Sequence, residues 1–127
     1  MILRPAIAAL MTVLFCGCAT VEYVPAADPP VSADGMLETG TVVIDNTTWR
    51  LFMLPIASGN PEKPNCCSCR WFRNTGTLEN QMKMLEGEAK KHGAGRVVNV
   101  STLTTDEDFM LLILLREKIH TSATLVK

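Results

Sequence analysis

The sequence predicts an α+β fold in which one amphipathic helix packs on a small, mostly antiparallel sheet of about four strands, ordered strand, strand, helix, strand, strand. Three observations lead there. Apolar residues recur at helical spacing in a single segment, Leu78 to His92; β-branched runs lie on both sides of it; and 127 residues with a formal charge of −1 supply one modest core.

The folded part is expected over residues 41–127, beginning with Thr41-Val42-Val43-Ile44-Asp45, a β-branched run closed by the turn chemistry of Asp45-Asn46-Thr47. A second strand, Thr48 to Ile56, is ended or pushed to an edge by Pro55. The loop Ala57 to Gly76 follows, and loops of roughly this length without structure of their own tend to be functional or mobile. Thr77 suits the N-cap of the helix and Gly93 its C′ position. Leu78, Met82, Leu85 and Ala89 fall on one stripe, while Glu79/Lys83 and Glu86/Lys90 pair at i,i+4 on another. Arg96 to Thr104 is the third strand, Thr105 to Asp108 a turn, and Phe109 to Val126 the last run. Within that run Ile119, Thr121, Ala123 and Leu125 alternate with His120, Ser122 and Thr124, as in a half-buried strand. Its start, "FMLLILL" from Phe109 to Leu115, is continuously apolar and calls for burial on both faces or a partner strand.

Residues 1–17 read as a signal peptide: Arg4 is followed by an apolar run from Ile7 to Phe15, too short for a bilayer span of roughly 20 apolar residues. The run ends in Phe15-Cys16-Gly17-Cys18-Ala19, and there the chain resembles the bacterial lipoproteins, whose signal peptides end in a small residue followed by an obligatory cysteine. The resemblance implies cleavage before Cys18, loss of Cys16 with the peptide and acylation of Cys18. With Ala19 rather than aspartate in the next position, it also implies the outer membrane, facing the periplasm. Acyl chains, at about 0.8 kcal/mol per buried methylene, hold a protein to a membrane without a transmembrane helix. Residues 18–40, rich in Pro, Ala, Gly and acids, read as the lipidated N-terminus and a flexible linker, in which Val21, Tyr23 and Val24 could still dock as a short strand. The junction from Glu88 to Val100 also resembles small envelope lipoprotein domains, where an alanine-bearing helix stops at Gly-Ala and enters a valine-rich strand.

The loop sequence "PNCCSCRW", Pro64 to Trp71, brings Cys66, Cys67 and Cys69 together. In an oxidising periplasm disulfides persist, and the CxxC pair Cys66 and Cys69 closes with less strain than either closer pair, which leaves Cys67 as a free thiol or for a bridge to another chain. A catalytic redox CxxC belongs at a helix N-terminus, where the dipole lowers the thiol pKa, and here the helix begins later. The alternative function is soft-metal or thiol-redox sensing by the Cys66/Cys67/Cys69 cluster, with His92 or His120 as a fourth ligand for zinc, or thiolates alone for copper(I). Structural zinc sites draw ligands from separated pairs, so no metal or cofactor is assigned. Two histidines without a carboxylate nearby in sequence assemble no catalytic set, and near-neutral charge offers no field for nucleic acid. The expectation is a non-catalytic binding or structural lipoprotein of the cell envelope, held to the membrane through Cys18, with an envelope protein or a second copy of the chain meeting the "FMLLILL" strand.

Overall fold

The structure, a computed structural model, describes residues 18–28, 31, 35–66, 68–111 and 113–127. The signal-peptide segment 1–17 and Cys67 lie outside the described residues. Among the described residues six strands and one helix follow in chain order: β1 (Ala19–Pro25), β2 (Glu38–Leu51), β3 (Leu54–Gly59), β4 (Cys69–Trp71), α1 (Leu78–Lys91), β5 (Arg96–Asp108) and β6 (Leu114–Val126). The fold is therefore sheet-dominated, and the expected α+β sandwich of four strands is corrected to six antiparallel strands carrying one short helix.

The difference comes from places where local chemistry is overruled by tertiary partners. Asp45-Asn46-Thr47, expected as a turn, runs straight through the middle of β2. Asp45 faces His120 across the sheet, and the fully buried Asn46 donates from Nδ2 to the Thr75 carbonyl at 2.9 Å. Residues 19–25, expected in the linker, form β1 because Ala19 and Val21 fill the core. The supposed turn at Thr105–Asp108 continues β5, so the chain reverses later, within "FMLLILL" itself.

β2 and β6 form the spine, pairing from Glu38↔Val126 to Leu51↔Leu114. β5 lies beyond β6. On the other side of β2, two strands share one edge end to end: β1 pairs residues 40–46 and β3 pairs residues 48–51, with β4 outside β3. Gly59 makes that junction feasible. A Cβ there would stand 2.6 Å from both Asn46 Oδ1 and the Cys18 carbonyl carbon, so any larger residue would prise the end of β3 from the start of β1.

Side-chain alternation decides which face is covered. Val42 and Ile44 on β2, Ala123 and Leu125 on β6, and Ala19 and Val21 on β1 all point to α1, which answers with Met84, Leu85 and Ala89. The alternation expected at Ile119, Thr121, Ala123 and Leu125 is present, all four being buried. The helix stripe is rotated relative to expectation. Leu78 is exposed, whereas Gln81 is fully buried and its Nε2 donates to the Ile119 carbonyl at 3.2 Å. Thr77 caps the N-terminus by accepting from Asn80 N, and Gly93 continues past the C-cap His92 with φ 63°. Lys83 hydrogen-bonds Glu79 and Lys90 hydrogen-bonds Glu86, which holds both carboxyls below the ordinary glutamate range. Their small, fully exposed contribution is present at neutral pH and fades as pH falls through the carboxylate range.

Covered and open regions of the sheet should respond differently to truncation. Leu125→Ala is expected to cost about 2–5 kcal/mol in urea unfolding, while Leu103→Ala, on the exposed part of β5, should stay within about 0.5 kcal/mol.

Candidate functional site

The cysteine loop is built onto the edge of β1. Asn65, at φ 61°, lies beside Val21 and uses its side-chain amide as a strand would: Val21 N donates to Asn65 Oδ1 at 2.9 Å and Asn65 Nδ2 donates to Val21 O at 2.8 Å. Asn65 N adds a bond to the Ala19 carbonyl at 2.8 Å. This satisfies backbone groups that β1 would otherwise present as a raw edge. The docking brings Cys66 to a shallow cavity that it shares with Cys18, Ala19, Thr20 and Asn65.

Cys66 is an exposed free thiol, whereas Cys69, the first residue of β4, is disulfide-bonded. The bridge expected between Cys66 and Cys69 is thus not formed; Cys66 is held outward by the Asn65 docking while Cys69 enters the sheet opposite Gly59. Cys67, expected as the free thiol, lies outside the described residues. Cys18 is exposed and immediately precedes β1, its carbonyl accepting from Thr47 N at 3.0 Å. Among the described residues no group of three or more side chains is arranged to hold a metal ion. His92 stacks on Tyr23 with ring centroids 3.6 Å apart and stands 3.6 Å from Glu88, so it packs at the helix end.

The face of the sheet opposite α1 carries residues that linear reading could not pair. His120 Nδ1 lies 2.8 Å from Asp45 Oδ1, and Lys118 Nζ lies 3.5 Å from the same oxygen. Seventy-five residues separate His120 from its carboxylate, and only the β2–β6 register joins them. Further along, Trp49 and Arg116 are cross-strand partners. The Arg116 guanidinium lies 5.7 Å from the Trp49 ring and 5.4 Å from Phe109, and it pairs with Glu107 on β5.

Beyond this aromatic band the sheet ends in an apolar cap. Leu51 and Leu54 pair directly, which leaves Phe52 and Met53 as a two-residue hairpin loop. Both have positive φ, 48° and 67°, in the type I′ manner normally met by Asn-Gly. Left-handed backbone costs a residue with a side chain roughly 1–2 kcal/mol. The β5–β6 hairpin turns beside it, with Leu111 at φ 44° and Ile113 N bonded to the Met110 carbonyl at 2.8 Å. Phe52 N donates to the Ile113 carbonyl at 2.8 Å, so the two tips form one surface. Its described side chains are exposed, Leu54 to 70% and Leu111 to 92%. Scattered exposed leucines are ordinary, but a contiguous apolar patch marks a site of interaction. "FMLLILL" therefore supplies a hairpin tip and not the buried or edge strand expected of it. The reversal comes at its apolar centre because Asp106 and Glu107 are already paired with Glu117 and Arg116 in the β5–β6 ladder.

No family model, curated protein or solved structure matches the chain. Among the described residues no helix is long and apolar enough to cross a membrane.

Two outcomes follow from this geometry. Replacing the turn by Phe52→Asn with Met53→Gly is expected to raise the unfolding free energy by about 1–2 kcal/mol in urea, because it relieves left-handed strain; an unchanged or lower stability would mean that the apolar side chains brace the hairpin. In the native chain, a maleimide should modify Cys66 and spare Cys69 until reductant is added.

Proposed function

We propose that this chain is a bacterial envelope lipoprotein, acylated on Cys18, cleaved ahead of it and held at the outer membrane facing the periplasm, whose domain binds rather than catalyses. The single observation that carries the reading is the placement of Cys18: it follows the Gly17 that closes the apolar N-terminal run, and it is exposed at the head of β1. An acylation site needs an accessible cysteine, and Cys18 is exposed where β1 begins. Binding is favoured over catalysis by what lies at the surface. The most developed feature there is the apolar cap, whereas His120 and Asp45 sit partly exposed on the sheet face opposite α1.

The test is metabolic labelling of the full chain with palmitate in a bacterial host, followed by membrane fractionation. The native chain is expected to take up label and sediment with outer membranes. Cys18→Ala should lose the label. If Cys18→Ala is labelled as strongly as the native chain, the anchor lies elsewhere and the assignment fails.

A further inference from the structure

We infer that the apolar cap formed by the two hairpin tips inserts into the interface of a lipid bilayer, the same bilayer that holds Cys18. This rests on the lipoprotein reading for the presence of a membrane, but it draws on separate observations.

The first is the charge pattern. Residues 51–54 and 109–113 contain no charged side chain, so the outermost tips, Phe52, Met53 and Leu111, can leave water without carrying an ion of their own. The first charges behind it are Asp108, whose carboxylate accepts from Met110 N at 3.1 Å, Arg50, bonded to Glu117 at 2.8 Å, and Arg116, paired with Glu107. Arg116 also lies against Trp49 and Phe109. Apolar tip, then tryptophan and arginine, then polar sheet is the order of a bilayer interface, where amphipathic rings and paired cations settle at headgroup depth.

The second is shape. Phe52, Met53 and Leu111 occupy left-handed turns at the outermost points of the hairpins, with their side chains in solvent. Convex tips of bulky residues suit a fluid apolar phase, which needs no matching cavity. A protein partner would have to supply one.

The third is reach. The Cys18 carbonyl is bonded to Thr47, and Phe52 stands five residues further along the chain, just past the end of β2. At about 3.3 Å per residue that is roughly 16 Å, comparable to one leaflet of hydrocarbon. Ala19 is already buried in the sheet, so no tether separates the anchor from the domain. An acylated Cys18 and the cap can therefore meet one bilayer together.

The experiment uses the full chain, made in a bacterial host and reconstituted into vesicles of phosphatidylethanolamine with a minor share of phosphatidylglycerol. A diazirine residue is introduced as Leu111→photo-leucine, or as Glu79→photo-leucine on the exposed side of α1. After irradiation, lipid adducts at position 111 are expected to exceed those at position 79 about tenfold. The excess should fall severalfold when Phe52→Ser and Met53→Ser are added. Equal labelling at the two positions, or a cross-linked species of twice the chain mass in place of lipid adducts, overturns the inference, the latter by assigning the cap to a second copy. The intact mass of the same sample reports acylation at Cys18. An unacylated chain with lipid adducts at position 111 would sink the anchor and keep the cap; an acylated chain without them would do the reverse.

Discussion

The register between β2 and β6 is the constraint on which the rest depends. Along Glu38 to Leu51 it decides, residue by residue, which side chains meet α1 and which meet solvent. A slip of one residue would send Val42 and Ile44 to water and bring Asp45 into the core, so the pairing is strongly specified where the helix covers it. The same register places Asp45 opposite His120, Trp49 opposite Arg116, and the tip of one hairpin beside the tip of the other. The buried half fixes the alignment, and the exposed half inherits it.

A second feature of the sheet is the way its edges are finished. One side of β2 is shared by β1 and β3, and the outer edge of β1 is closed by the amide of Asn65 in place of a further strand. β4 closes β3. β5 is left long and exposed, yet it ends in Asp106-Glu107-Asp108, whose charges oppose the approach of another strand. Apolar exposure is thus concentrated at the hairpin ends rather than spread along an edge, which separates interaction from uncontrolled sheet growth.

Much of the local structure was legible from sequence. Thr77 and Gly93 bound the helix where capping chemistry puts them, both i,i+4 ion pairs form, and the alternation from Ile119 to Leu125 is that of a strand with one buried face. The misjudged parts share a cause. Asp45-Asn46-Thr47 has the composition of a turn, and "FMLLILL" that of a core strand. Distant partners reverse both assignments: Thr75 for Asn46 and His120 for Asp45 in the first, and the pairing of Asp106 and Glu107 with Glu117 and Arg116 in the second. Spacing favoured Cys66 and Cys69, but Cys66 is an exposed free thiol beside Asn65, whose side chain is bonded to Val21, 44 residues away. The cap itself left one sequence signal: two uncharged apolar clusters, Leu51–Leu54 and Phe109–Ile113, each next to residues that pair across the sheet.

The burial of Ala19 carries a consequence for the order of events in the life of the chain. Once β1 is in place, Ala19 is buried in a packed sheet and the Cys18 carbonyl is already committed to Thr47. An enzyme that cleaves there needs several residues of extended, unpaired chain on each side of the bond. On the proposed lipoprotein reading, cleavage ahead of Cys18 and completion of the fold compete for the same backbone: processing has to come first, or β1 has to peel from β2 to admit it. The last strand to be secured would then be the first one made.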